Sequence, residues 1–179
     1  YFMRNELETK PPTEEEIKAC ASVLSRLPER RLPLPIFKEI CKKVVLTAFE
    51  VVSLRTSSDG QTQVLLSQRP DSDLWYPGEM HSPGVMLIPS DKDDENFVTA
   101  LERLKVTELE GLQTSQPMFV ANKILNTKRG VENANIHWMR VSGEPTHGKF
   151  YDIDNLPDNL INHHKVIIKT AYDNFLKDK

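Results

Sequence analysis

The chain is 179 residues long, with 23 basic and 26 acidic side chains and a formal net charge of -3; this is the size of one ordinary domain, long enough to bury a core and short for two. That balance gives no general attraction to a phosphate backbone, which excludes general nucleic-acid binding and leaves room for a local basic pocket. No apolar run approaches the roughly 20 residues that cross a bilayer, so no membrane span is expected.

Tyr1 and Phe2, ahead of Met3, read as the remnant of an expression tag and stand outside the fold argument. Thr13 with Glu16 forms a capping-box pattern, and Ile17, Cys20, Ala21, Leu24 and Leu27 then recur at helical spacing until Pro28. The segment LPERRLPLP is too rich in proline to continue that helix, and Pro35 opens a second one that runs through Ile40 to Lys43. Residues 1–43 thus form a helical extension ahead of a main domain at 44–179. Cys20 and Cys41 lie in these helical segments, and nothing resembles a signal peptide. Both are expected to be buried thiols in a reducing cytoplasm.

From Val44 to Arg55 the run is β-branched and apolar, Asp59-Gly60 supplies a turn, and Gln63 to Ser67 resumes as strand, which predicts a hairpin. A helix follows over residues 95–110. Met118 to Asn126 and Asn135 to Ser142 read as two more strands, joined through Lys128-Arg129-Gly130 and paired antiparallel. The last helix, opened by Pro157, carries Leu160, His164, Ile167, Ile168, Ala171 and Phe175 on one face. Adjacent His163 and His164 diverge by about 100° on a helix, so they do not chelate one ion, and His164 reads as a hydrogen-bonded core histidine. His137 and Trp138 alternate on a strand, so only one of them faces a ligand. Strands, helix, strands, helix is a mixed sheet between helical layers.

The most informative stretch runs from Leu65 to Leu112. LLSQRP ends a strand, WYPGEMHSPGV makes a proline-glycine turn, and NFVTALERLKVTELEGL is a helix closing on Glu-Leu-Glu-Gly-Leu. Together these resemble the Nudix hydrolases, whose signature is G-x5-E-x7-R-E-U-x-E-E-x-G-U, with U a bulky aliphatic. The resemblance spans about residues 44 to 176. It implies an α/β (α+β) fold, a Nudix-like α/β/α sandwich around a mixed sheet, with the signature helix beneath the sheet and the helical extension added at the N-terminus. It also implies cleavage of a nucleoside diphosphate linked to another moiety, with Mg2+ or Mn2+ held by glutamates that project from one helical face.

Two registers are open. With Arg103 as the signature arginine, Glu95 matches the early glutamate and Glu108 the second of the Glu-Glu pair, while Leu104 and Thr107 replace carboxylates. With Gly111-Leu112 as the closing pair, Glu108 becomes the first, and Lys105 and Leu109 stand where carboxylates belong. Both keep Glu108, and both lose its companions. The turn departs as well, reading Pro83-Gly84-Val85 where the family has Pro-Gly-Gly. On spacing alone, Phe97, Leu101, Leu104 and Leu109 are core, and Glu102, Glu108 and Glu110 a solvated acidic side.

The expected catalytic and metal residues are therefore Glu108 and Glu95, with Asp91, Asp93, Asp94 and Glu144 as acids that could complete the shell. Arg69 ends a strand before the turn, where a guanidinium either grips a diphosphate bidentately or makes a surface ion pair. Trp75 and Tyr76 either stack on a base or pack against their own domain. His81, beside the turn, is an acid-base candidate, and Gly84 and Arg103 complete the expected substrate-binding set. The alternative to hydrolysis is a catalytically inactive domain that binds a nucleotide-like ligand or a protein partner through the same cleft. The helical extension offers either a homodimer contact or a cover for the sheet edge.

Overall fold

In a computed structural model, residues 10–91 and 97–178 are described. The capping box forms as the sequence predicts: Thr13 caps α1 (Glu14–Leu24), with Glu16 returning the hydrogen bond. α1 buries none of its residues, and Cys20 is exposed rather than buried, because the helix lies on the outside of the protein instead of in its core. α2 (Leu34–Lys43) starts with Pro35 in its first turn, where the missing N–H costs nothing, and it does bury Cys41.

The expected hairpin is present as β1 (Leu46–Thr56) and β2 (Thr62–Gln68). Val44 and Val45 are half exposed and precede the strand. β3 (Met80–His81) and β4 (Gly84–Met86) are short pieces either side of Ser82-Pro83, which divide the signature turn between two partners. β3 pairs with β2 and β4 with β1, both antiparallel. α3 (Val98–Thr107) is shorter than the predicted 95–110, with Phe97 at its N-cap in the left-handed region and Glu108 at its C-cap. β5 (Leu112–Thr114), β6 (Met118–Asn126), β7 (Val131–Gly143) and β8 (Lys149–Asp152) follow. α4 (Asn162–Phe175) closes the chain and begins after Pro157, which lies in a turn instead of opening the helix.

β6 and β7 pair antiparallel as read from the sequence, whereas β1 runs parallel to β7 from Leu46 against Glu132 to Leu54 against Arg140. A parallel pair needs a long crossover, and here everything from β2 to β6 supplies it. The sheet is mixed, with the order β3-β2-β1-β7-β5.

Alternation along β1 sorts the core into two layers. Phe49 and Val51 pack with Leu65, Leu101 and Leu104 on the α3 face. Val52 and Leu54 pack with Ile136, Ile167 and Phe175 on the α4 face. Of the stripe predicted for the last helix, His164, Ile167, Ile168, Ala171 and Phe175 are buried on α4, whereas Leu160 is buried ahead of it. In this arrangement Glu50 points to the same side as Val52, into the α4 layer, although it is a carboxylate.

Candidate functional site

Glu50 lies in the middle of β1, 6% exposed, directly opposite Gly84 of β4. A side chain at position 84 would meet the Glu50 carboxylate and displace it, so glycine there leaves the carboxylate its room, with no positive backbone angle involved. Glu108, at the end of α3, has its carboxyl near enough to the Gly84 N–H for its pKa to be lowered by it, and near enough to Glu50 to raise that group's. The turn that the sequence marked as Pro83-Gly84 therefore joins two acids, one from the sheet and one from the helix.

Around this pair lie Arg69, His81, Ser82, Arg129 and His164, which with Glu50 and Gly84 enclose a cavity of about 30 Å3. That is room for a single ion or water, not for a nucleotide. Burial, opposed by Arg129 and reinforced by Glu132 and Glu108, pushes the Glu50 carboxyl up to about 8. Burial likewise pushes Glu108 up to about 7, against the pull of Arg69 and the Gly84 hydrogen bond. The Oε2 atoms of both glutamates are buried without a hydrogen-bond partner among the described residues, and so is Nε of Arg69. Orphaned polar atoms are uncommon in a native interior, and Glu50 and Arg69, which carry two of them, both line the small cavity.

The two histidines are held neutral. His81 is pushed down to about 3, by burial first and Arg69 second. Its Nδ1 lies 3.0 Å from the Ser82 carbonyl and 3.9 Å from Glu108 Oε2. The carbonyl assigns the proton to Nδ1. His164 is driven well below its ordinary value by burial and by the neighbouring His163 and His81. It accepts at Nδ1 from the Ser82 N–H at 3.3 Å, with Ser82 Oγ at 2.9 Å. This is the hydrogen-bonded core histidine that the sequence implied, here tying α4 to the turn. Arg129 forms a buried bidentate pair with Glu132 at 2.9 and 3.1 Å, which supplies fixed positive charge beside Glu50.

The other expected site residues divide. Arg69 reaches the cavity and also stands 3.8 Å from Asp73. Trp75 sets its edge against Phe37 of α2 at 5.8 Å, and Tyr76 is buried with its hydroxyl accepting from the Lys128 N–H. These two pack against their own chain. Arg103 is held by a charged pair with Asp91 and donates to the Met86 carbonyl, so it staples α3 to the turn region. His137 faces the α3 layer among Phe49, Phe97 and Phe119, while Trp138 faces α4 and donates to Asn174. Glu102 is exposed beside Lys105, and Glu144 meets Arg55 at the surface. Glu95, Asp93 and Asp94 lie outside the described residues.

Glu50, Arg129 and Glu132 were not among the residues expected at the site. A lone acid inside the run Ala48-Phe49-Glu50-Val51-Val52 is the one legible signal, because a carboxylate at the centre of a strand buried on both faces demands a reason.

No group of three or more His, Cys, Asp or Glu is placed to hold a metal ion among the described residues. A smaller donor set is present. Mg2+ is commonly held by one or two carboxylates together with waters and substrate phosphates, and Glu50 with Glu108 offers two hard oxygen donors with unsatisfied atoms. The residues fit such an ion.

No family model matches the chain, and no curated protein matches it in sequence. Solved structures do match in shape. The C-terminal domain of mouse MUTYH, solved in complex with human PCNA, is 16% identical and aligns over 75% of this chain and 91% of its own with a TM-score of 0.56. The Ap4A hydrolase of C. elegans is 14% identical over 74% of this chain and 99% of its own, with a TM-score of 0.55. The MutT Nudix hydrolase of Burkholderia pseudomallei is 14% identical over 72% of this chain and 98% of its own, with a TM-score of 0.53.

Proposed function

From this Nudix fold and its two-carboxylate centre, we propose that the chain is a divergent hydrolase of a nucleoside diphosphate linked to another moiety, acting with Mg2+ or Mn2+. The observation that carries the reading is the orphaned carboxylate oxygen of Glu50 in a cavity the size of one ion, with a second orphaned carboxylate oxygen on Glu108, whose charge acts on Glu50. Glu50 takes the part of the helix glutamates that this sequence lacks, reaching the site from the sheet. A bound divalent ion would neutralise diphosphate charge and acidify a coordinated water.

The residues of the chain have separable tasks in this scheme. Arg69, with an unpartnered Nε, presents a guanidinium to the phosphate oxygens. Gly84 keeps the Glu50 carboxylate clear, and its N–H favours the ionised form of Glu108. His81, pushed down to about 3, is a poor base and serves to hold the turn and the edge of Glu108. Arg129, clamped by Glu132, sets the charge at Glu50 without leaving its partner.

A second reading, binding without turnover, is favoured by α3 itself. Its remaining described acid, Glu102, faces solvent beside Lys105, and Asp91 is taken by Arg103, so the helix end contributes Glu108 alone. The two readings separate in one experiment. Mn2+ binding followed by electron paramagnetic resonance, and release of products from ADP-ribose and dinucleoside polyphosphates, are measured for the parent chain, Glu50→Gln and Glu108→Gln. Hydrolysis lost in both variants together with Mn2+ binding supports the hydrolase. Ligand binding without product in the parent chain supports the second reading, and turnover unchanged in both variants overturns the assignment of the site.

A further inference from the structure

A second cavity, of about 350 Å3, lies between the helical extension and the main sheet. Its floor is apolar: Leu32 and Phe37 from the extension face Val85 and Met86 of β4, with Ile88 beyond them. Among the described residues its rim is basic, formed by Arg30, Arg31 and Arg103, with Glu29 as the single acid. Arg103 is committed to Asp91. Arg30 and Arg31 are exposed and have no ion-pair or hydrogen-bond partner among the described residues.

The backbone at this rim is unusual too. Arg31 has a φ of 56°, in the left-handed region that strains a residue with a side chain. Such a conformation persists where its surroundings hold it, and here it turns the linker so that two consecutive guanidiniums border one apolar chamber. A chamber of this volume has the size of a small-ligand pocket, and an apolar floor with a few placed charges is the usual composition of one.

We propose that this cavity is a binding site for a small organic anion, an aromatic or aliphatic body carrying a carboxylate or phosphate, with the body on Phe37, Val85 and Met86 and the anion on Arg30 and Arg31. The site differs from the Glu50 centre in ligand and shares only Val85 and Met86 with its cavity; Arg30, Arg31, Leu32, Phe37 and Ile88 line the new one alone. It nevertheless borders that centre, because Val85 follows Gly84 directly.

The test uses the whole chain in EDTA, with 1-naphthyl phosphate and 1-naphthoate as probes, 1-naphthylmethanol as the uncharged control and inorganic phosphate as the control without an apolar body. Methyl resonances of Val85, Met86 and Ile88 report occupancy. Saturable shifts of these methyls with either anionic probe are expected, and which probe binds more tightly distinguishes a phosphate head from a carboxylate. Binding should weaken roughly tenfold for the uncharged control and for the double variant Arg30→Gln/Arg31→Gln, the size of one lost charge-assisted contact. Both substitutions are at exposed positions, so the variant should fold. Equal affinity of the uncharged control, an unaffected double variant or no saturable methyl shift would overturn the proposal. Shifts confined to His81 and Gly84 would also overturn it, while leaving the hydrolase reading intact.

Discussion

Replacing Glu50 with glutamine should make the folded state less sensitive to alkaline pH. The Glu50 carboxyl is pushed from an ordinary 4.5 to about 8 in the folded protein, so the folded state keeps a proton that the unfolded state releases. Between those two values stability falls as pH rises, because deprotonation favours the unfolded chain; below 4.5 and above 8 the contribution is flat. At ~1.4 kcal/mol per pH unit the whole interval is worth about 5 kcal/mol. Coupling lowers this: Glu108 raises Glu50, so losing one ionised group eases the other. The window from pH 5 to pH 8.5 covers about three of those units, so the expected gain of Glu50→Gln over the parent is about 2–4 kcal/mol. Urea unfolding at the two pH values measures it, and the double difference cancels any loss of packing common to both. Excess Mn2+ should remove most of the difference, since an ion bound to the pair favours the ionised carboxylates. A double difference below about 1 kcal/mol would mean that Glu50 ionises normally, and the argument from its burial would fail.

Acid should destabilise the same region through its imidazoles. His81 at about 3 and His163 at about 4 lie below an ordinary 6.5, as does His164, so the stability they give is present above 6.5 and is lost as pH falls toward 3; NMR titration of the ring protons locates each transition. Gly84→Ala should cost about 1–3 kcal/mol through its collision with the Glu50 carboxylate, and Glu50→Ala should relieve most of that cost in a double-mutant cycle. Leu104→Ala, at a side chain with 0% exposure, should cost about 2–5 kcal/mol by thermal unfolding. Val106→Ala on the same helix, 75% exposed, should stay within about 0.5 kcal/mol.

The elements legible in the sequence were those whose pattern is local. Thr13 and Glu16 announced a helix start, Asp59-Gly60 a hairpin, and Ile167, Ile168, Ala171 and Phe175 a buried helix face, because each depends on neighbours within a turn or two. α1 is amphipathic and yet buries nothing, since periodicity shows that an apolar stripe exists and not what lies against it. Cys20 was misplaced for that reason. The site was legible at Glu108, Gly84, Arg69 and His81, which fall in one contiguous stretch. It was hidden at Glu50, Arg129 and Glu132, which reach it only through the parallel pairing of β1 with β7 and the short β4 laid against β1. No local rule announces a partner strand so far along the chain. The roles of Trp75 and Tyr76 were set in the same way by distant residues, Phe37 and Lys128.

That parallel pairing also orders events during folding. β1 is made early, but its neighbour β7 arrives only after the whole crossover has been synthesised, and closing so long a loop is entropically slow. Until β7 docks, Glu50 is an ordinary hydrated acid on the edge of a hairpin, ionised and without Arg129 or Glu132 beside it. Docking takes it out of water and raises its proton affinity in one step, so β1 should complete its pairing faster where the carboxyl is already protonated.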